Sequence, residues 1–206
     1  MALTTYSDLK TSVANYLARS DLTSQIPDFI QFAEIRLRRE LRIRQMLSSA
    51  TLTTTGGTDT VNLPSDFLEL KNIYVDGDPT WTLTYLTPST LVRNGRTYEA
   101  GKPSYYTILA SQVKFGPTPD TTYSVPLLYY AAPAFLSDSN TSNVFLANCP
   151  DLLLYASLAE AEPYLMNDAR LATWQAMYDR GLLGLRESDD RGEFSASPLT
   201  MSVTAR

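Results

Sequence analysis

Histidine is missing from this 206-residue chain, and cysteine occurs only once, as Cys149. Without histidine the chain lacks the side chain that most often serves as a general base near neutral pH or as a metal ligand. One cysteine can form neither an internal disulfide nor a thiolate metal cluster. A helix dipole after Cys149 could lower its pKa, but a free cysteine usually acts as a small apolar residue, so we interpret it as structural. These absences argue against an enzyme and predict no cofactor.

Phosphate-binding and nucleophile motifs are absent as well. The chain contains no GxxxxGK[ST], no GxGxxG and no GxSxG sequence. Its net charge of −5 is unlike that of a typical sequence-specific DNA-binding protein, which is basic. No apolar run reaches the roughly 18 residues that span a membrane, and the opening MALTTYSDLK does not resemble a signal peptide. We therefore expect a protein made in the cytosol and used there, or in a particle assembled there, without a membrane partner.

Two helices are predicted before the middle of the chain. Apolar residues spaced by three and four predict a helix over about 6–18, capped by Thr5. Pro27 suits the first turn of a second helix. The apolar face of this second helix comprises Ile26, Phe29, Ile30, Ala33, Leu37 and Leu41.

The middle of the chain has the alternating, β-branched pattern of strands. The predicted strands lie at about 50–54, 61–63, 68–75, 81–86, 105–109, 112–115 and 123–131. Gly56-Gly57 predicts a turn with positive φ between the first two strands, and a short helix is predicted from Ser89. The doublets Tyr105-Tyr106 and Tyr129-Tyr130 put one ring on each face of their strands, which leaves one ring of each doublet available for exposure. These segments predict a small antiparallel sandwich or barrel.

Helices return after residue 143. They are predicted over about 148–162 and 168–187, with Pro163 between them and Asn167 as the N-cap of the last helix. Residues 188–206 are polar and rich in serine and threonine, which is typical of a segment that is disordered when alone.

This order of helices, strands and helices predicts an α+β fold rather than an alternating one. We expect the N-terminal helices (1–45) and the C-terminal helices (137–187) to form one bundle. The β-rich domain (46–136) interrupts this bundle, and an extended C-terminal arm (188–206) follows it.

The arrangement resembles the head-to-tail adaptor proteins of short-tailed bacteriophages and related prophages. The resemblance rests on residues 24–76, where an arginine-loaded helix leads into a Thr-rich strand, a Gly-Gly turn and the sequence LPSDFLEL. It extends to the opening TTYSDLKTSVANYLARSDL and to LLLYASLAEAEPYLMNDARLATW near the C-terminus. It covers most of the chain as a pattern of order and spacing, and it contains no catalytic residue.

Several expectations follow from the resemblance alone. Related adaptors form a twelve-membered ring that binds the portal after DNA packaging and carries the tail nozzle or fibres. The resemblance therefore implies a structural virion protein at the head–tail interface, assembled in the host cytoplasm. Its partners would be further copies of the chain, the portal protein and tail proteins. Genomic DNA would pass through the central channel during ejection without sequence-specific binding.

An arginine cluster on the second helix supplies the first candidate site. Its members are Arg36, Arg38, Arg39, Arg42 and Arg44. They could bind phosphate, form a subunit interface or internal ion pairs, or lie on a solvated face. The positive charge wraps around the helix and is diluted by Glu34 and Glu40, which favours pairing over direct contact with DNA.

The remaining candidates lie in the C-terminal half. Glu160 and Glu162 are acidic residues on the predicted helices and are expected on a solvated or interface surface, opposite the arginines of a neighbour. They lie two positions apart and do not face each other on a helix, so they are not a catalytic pair. Leu199, Met201 and Val203 alternate near the end of the chain, which is typical of a segment that adds a strand to a neighbouring sheet.

Two rival functions remain open at this point. The arginines alone suggest a nucleic-acid-binding module, against the acidic net charge. The tyrosine-rich strands alone suggest a carbohydrate-binding or hydrolytic phage protein.

Overall fold

A computed structural model describes residues 3–95, 99–165 and 170–193. Its contacts divide the chain into two units. The helical unit contains the residues up to Gln45 and those from Pro133 onward, and the β-rich unit contains Met46–Ala132. The division falls at residue 132, whereas the sequence pattern placed it at 136.

The helical unit contains α1 (Tyr6–Leu17), α2 (Ile26–Glu40), α4 (Val144–Asn148), α5 (Pro150–Glu160), α6 (Glu162–Leu165) and α7 (Leu171–Glu193). Helix α5 is buried on several sides and contacts α1, α2, α4, α6 and α7. This explains its nearly continuous apolar sequence, LLLYASLA, because a central helix has no solvent face to keep polar. The predicted bundle of N- and C-terminal helices is confirmed.

Local sequence sets the ends of the first two helices. Thr5 and Asp8 form a reciprocal capping box at the start of α1, and Ala18 ends that helix in the left-handed conformation. Pro27 lies in the first turn of α2, where its missing N–H is not needed. After α2 the chain makes a short 3₁₀ helix, Arg44–Met46.

In its described residues, 46–95 and 99–132, the β-rich unit contains two four-stranded sheets and one helix. The strands are β1 (Leu47–Thr53), β2 (Thr60–Asn62), β3 (Phe67–Val75), β4 (Trp81–Thr82), β5 (Thr84–Tyr85), β6 (Tyr105–Leu109), β7 (Gln112–Gly116) and β8 (Ser124–Ala131), and α3 is Pro88–Gly95. One sheet has the order β1-β8-β3-β4 and the other β2-β7-β6-β5. All pairs are antiparallel except β5 with β6. Residues of both sheets, including Leu127 and Phe115, share one apolar core, as in a sandwich.

The chain passes between the two sheets at the Gly56-Gly57 turn and again near Leu83. The predicted positive φ occurs at Gly57, where φ is 80°, and the strands on either side belong to different sheets because β1 pairs with β8 and β2 with β7. The predicted strand at 81–86 is also divided, since β4 joins one sheet and β5 the other. Thr84 and Tyr85 pair with β6, so the chain crosses between the sheets directly after Leu83.

The last helix is longer than the sequence pattern indicated. It ends at Glu193 rather than at 187, so residues 188–193 of the predicted arm are helical. Asp189 accounts for the extension, because its Oδ1 accepts hydrogen bonds from the backbone N and the Nε of Arg44 at 3.0 and 3.1 Å. Pro163 lies within the short helix α6 instead of separating two long helices. The predicted N-cap Asn167 lies outside the described residues.

Candidate functional site

The arginines of helix α2 are Arg36, Arg38 and Arg39, and they lie outside the apolar face of the helix. The buried positions Ile30, Ala33 and Leu37 turn toward the core of the helical unit. Arg36, Arg38 and Arg39 therefore project in different directions around the helix. Arg42 and Arg44 lie beyond the end of α2 at Glu40, with Arg44 in the 3₁₀ helix, so the predicted cluster extends past the second helix.

Arg36 is the centre of a network within the chain. Its Nε donates to Glu40 Oε1 at 3.1 Å, and its Nη1 donates to Glu160 Oε1 at 3.5 Å and to Gln175 Oε1 at 3.3 Å. The guanidinium carbon lies 4.1 Å from the ring centroid of Tyr178. The structure thus brings together two candidate residues, Arg36 and Glu160, inside one copy.

Electrostatics in this network favour the charged form of Arg36. Burial disfavours the charged guanidinium, but Glu40, Tyr178 and Glu160 outweigh that effect and raise the pKa of Arg36. Burial, together with the hydrogen bond from the Tyr178 hydroxyl to Glu40, raises the pKa of Tyr178. The network therefore stays neutral at Tyr178 and charged at Arg36 across the physiological range.

Arg38 belongs to a second internal network with Glu34. Its Nη2 donates to the carbonyl oxygen of Pro133, and its guanidinium carbon lies 3.4 Å from the centroid of the Phe135 ring. The buried Glu34 carboxylate accepts hydrogen bonds from the Leu136 backbone N–H at 3.1 and 3.2 Å and from Asn143 Nδ2. Together these contacts hold the segment 133–143 against α2.

Sequence reasoning missed Glu34 as a structural residue. A signal was present: Glu34 lies four positions after Ile30 and three before Leu37, on the apolar side of α2, where a solvated glutamate is out of place. Burial raises its pKa, and the Leu136 N–H, Asn143 and Arg38 partly oppose that rise. Burial lowers the pKa of Arg38, with Glu34 opposing the change.

Of the other arginines, Arg42 contacts the backbone of its own chain, whereas Arg39 is exposed. Arg42 Nη1 donates to the backbone carbonyls of Arg38 and Leu41 at 2.8 and 2.6 Å, which satisfies carbonyls at the end of α2. Arg39 is exposed, and its side chain makes no hydrogen bond or ion pair with the described residues. Arg39 is therefore the member of the cluster that remains available to a partner.

The other candidate residues have mixed outcomes. Glu162 lies in the first turn of α6 and is half-buried. Leu199, Met201 and Val203 lie outside the described residues. The Tyr129-Tyr130 doublet presents no exposed ring, because both side chains are buried, contrary to the expectation of one ring on an open face.

An aromatic surface between α2 and α6 was not predicted. Phe32 and Tyr164 are each 52% exposed and line one open depression with Phe29 and Pro163, which we call the aromatic depression. The Phe29 and Tyr164 ring centroids are 5.9 Å apart. In the sequence, Phe32 was the residue that could have indicated this surface. It lies outside the apolar face of α2, so burial in the core does not account for an aromatic residue at this position.

Features of an enzyme site are lacking in the part of the chain that the structure describes. Burial raises the pKa of the Cys149 thiol to about 12, so it is not an activated nucleophile. No group of three or more potential metal ligands occurs among residues 3–95, 99–165 and 170–193. Within the same ranges, no helix has the length and apolar character needed to cross a bilayer.

Comparison with known protein families identifies the chain. A family model described as "SU10 adaptor protein" matches residues 4–202, which is nearly the full length. The chain belongs to the SU10 adaptor protein family. The predicted resemblance to phage head-to-tail adaptors is therefore confirmed. No curated protein matches the chain.

Membership in the SU10 adaptor family bears on how the two networks and the aromatic depression are interpreted. The family is one of phage structural proteins, which indicates a virion location and contact with other head or tail proteins. A structural adaptor also favours a non-enzymatic role. For such a protein, surfaces that contact partners matter more than a catalytic pocket.

Proposed function

We propose that this SU10-family chain is a head-to-tail adaptor whose copies form a ring between the portal and the tail nozzle or fibres. The family match over residues 4–202 carries this proposal. The ring has twelve copies, is assembled on the portal in the host cytoplasm, and lets the genome pass during ejection. Its activity is assembly, and it requires no cofactor.

The distribution of charges supports a structural role over DNA binding. Arg36, Arg38, Arg42 and Arg44 are engaged by groups of the same chain, so they do not form a free phosphate-binding surface. Arg39 remains available, but one arginine of this cluster, in a chain with a net charge of −5, does not make a nucleic-acid interface. A negative chain lining a channel would let DNA slide through without adhering.

Within this proposal the interface candidates named from the sequence have different roles. Arg39, Glu160 and Glu162 lie at the edge of a contact with the next copy or the portal. Arg36, Arg38 and Arg42 shape the helical unit that makes the contact. The segment containing Leu199, Met201 and Val203 is an arm that lies on the portal or on the adjacent copy.

Binding to the portal tests the proposal directly. The purified chain would be mixed with the portal protein of the same phage, and the mass of the complex would be measured by light scattering during size exclusion. We expect a discrete complex carrying several copies of the chain per portal. Failure to bind portal, or a stronger shift of DNA in a gel than a basic control protein gives, would refute the proposal.

The arm is tested separately by truncation. Because α7 continues to Glu193, the chain should be cut after that residue rather than within the helix. The shortened protein should keep the melting temperature of the full chain and attach less well to the portal. Equal attachment of both proteins would remove the arm from the mechanism.

A further inference from the structure

Two surfaces of the helical unit remain unexplained by its internal packing, and the first is the aromatic depression. Isolated exposed apolar side chains are common, but here Phe32 and Tyr164 are both half exposed around the same hollow of about 500 Å³. Acidic side chains lie at its rim, on α2 at Asp28 and at the end of α5 at Glu160. The Asp28 side chain makes no hydrogen bond or ion pair within the described residues.

The second surface lies along α7 and consists of Met177, Arg180, Leu183 and Gly184, which we call the α7 flank. Met177 and Leu183 are 42% and 61% exposed. Arg180 is exposed and has no hydrogen-bond or ion-pair partner in the described part of the chain. Met177, Arg180 and Gly184 line an open groove between α7 and α5 that also contains Asp151. The flank can therefore be approached from outside.

Gly184 makes this flank unusual for a helix. Glycine within a helix is unfavourable relative to alanine, and a Cβ at this position would have no heavy atom within 4 Å. Packing inside the chain therefore does not require glycine at 184. A bare backbone at an exposed position allows a bulky group from another molecule to approach the helix closely.

The two surfaces complement each other in charge, and both carry apolar side chains. The aromatic depression is rimmed by carboxylates, whereas the α7 flank has two apolar side chains and a cation. A guanidinium is favourable both near Asp28 and over an aromatic face, and a methionine packs well against aromatic rings. The two surfaces share no residue, so neither has to give up a side chain to the other.

We propose that the α7 flank of one copy docks into the aromatic depression of the next copy, with Arg180 opposite Asp28. Such a contact is head-to-tail, and a repeated head-to-tail contact gives a ring when the rotation between copies closes. The proposed ring requires that closure. The inference rests on the proposed ring function and adds the surfaces that form its subunit contact. Leu183 and Met177 enter between Phe32 and Tyr164, and Gly184 permits the close approach.

Cysteine cross-linking on the assembled portal complex tests the contact. Cys149→Ala provides a background without other cysteines. A chain carrying both Asp28→Cys and Arg180→Cys should cross-link with a short bifunctional maleimide into a ladder of dimers, trimers and larger species. A mixture of the two single variants should stop at the dimer. Asp28→Cys combined with Arg93→Cys, at an exposed residue of α3, is the matched control and should give no ladder.

Charge reversal gives an independent result. Asp28→Arg or Arg180→Asp alone should weaken assembly about tenfold, because each places like charges at the contact. The double variant restores opposite charges and should recover most of the loss. Arg93→Asp should have no effect, and all four proteins should melt at the same temperature as the parent.

The outcomes separate this inference from the proposed function. If the chain assembles on the portal but the cysteine pair gives no ladder, or the double reversal is no better than either single variant, the docking is wrong and the adaptor function stands. Cross-links between two Asp28→Cys positions alone would show a two-fold contact and also overturn it. If no complex with the portal forms, the proposed function itself fails.

Discussion

At the scale of single residues, arginines of one cluster have opposite roles. Arg36 contacts Glu40, Glu160, Gln175 and Tyr178, whereas Arg39, one turn further along α2, is exposed. A partly buried residue with several partners contributes more to stability than an exposed one, because its loss leaves those partners unsatisfied.

We therefore expect Arg36→Ala to lower the free energy of unfolding by about 1–2 kcal/mol. Arg39→Ala should change it by less than about 0.5 kcal/mol, as is usual for a surface substitution. Urea denaturation followed by circular dichroism measures both values. Equal effects of the two substitutions would mean that the Arg36 network does not stabilise the helical unit.

Glu34 predicts a pH dependence of stability. Burial raises its pKa above the ordinary value of 4.5, so the folded chain holds this proton more tightly than the unfolded chain does. Protonated Glu34 therefore contributes to the free energy of unfolding. This contribution is fully present below the pKa that Glu34 has in the unfolded chain, and it is lost as the pH rises through its pKa in the folded chain. The charge of Arg38 opposes this increase in the pKa of Glu34 but does not reverse it.

The comparison of the parent with Glu34→Gln isolates this effect. The stability of the parent relative to the variant should fall as the pH is raised from about 4 to 7. Glutamine keeps an acceptor for the Leu136 N–H but does not titrate. A difference that stays constant over this range would show that Glu34 has an ordinary pKa in the folded protein.

The sequence indicated what kind of environment each arginine has, but it did not identify the residues that the arginines contact. The spacing of the arginines showed that their charge surrounds α2, and it favoured pairing over a DNA surface. It could not name Glu160 as a partner of Arg36, because the two lie 124 positions apart and meet only in the folded bundle. Phe32 was visible in the sequence as an aromatic residue outside the apolar face, and its meaning required Tyr164 beside it.

At the scale of elements, α7 contains a position that is not optimised for the isolated chain. Alanine at 184 has open space and a better helix propensity than glycine. Gly184→Ala should raise the free energy of unfolding by about 0.5–1 kcal/mol.

Gly181→Ala is the matched control for this substitution. Its Cβ would lie 3.3 Å from Leu152 Cδ1, so the gain in helix propensity should be reduced by crowding against α5. Thermal melts of both variants measure the difference. A loss of stability in Gly184→Ala would show that the flank is packed against another part of the same chain.

The presence of most helices and strands could be predicted from the sequence, but the pairing of the strands could not. Alternation places residues on faces of a strand but does not identify the neighbouring strand. The strands on either side of the Gly56-Gly57 turn pair with distant parts of the chain, Leu52 with Val125 and Val61 with Val113. The end of α7 was placed too early because Asp189 is held by Arg44, a partner that the local polar composition does not reveal.

At the scale of the whole molecule, the β-rich unit is an insertion between two parts of the helical unit. Its first and last strands are paired directly, with Leu47 opposite Tyr130. Paired strands have Cα atoms about 5 Å apart, so the chain enters and leaves this unit at nearly the same place.

The insertion should therefore be removable. Replacing residues 46–132 by a short glycine-rich linker should leave a helical protein that unfolds cooperatively, because the ends to be joined are close. Circular dichroism during a thermal melt tests this. Loss of the cooperative transition would show that the helical unit depends on the β-rich unit for its fold.

Function at this scale could be predicted only through resemblance. Composition and motifs excluded common enzyme classes, and periodicity gave the fold class, but neither identifies a partner. Assembly depends on surfaces that match another molecule, and a single chain shows only one half of each contact. The SU10 family match supplies the missing context over residues 4–202.

Electron cryomicroscopy of particles from the phage that encodes this chain tests the central claim most directly. The account predicts a ring of repeated density between the portal and the tail into which the helical unit, with α5 at its centre, fits once per copy. Location of the chain in the capsid shell or in a fibre, or its absence from the particle, would contradict the account.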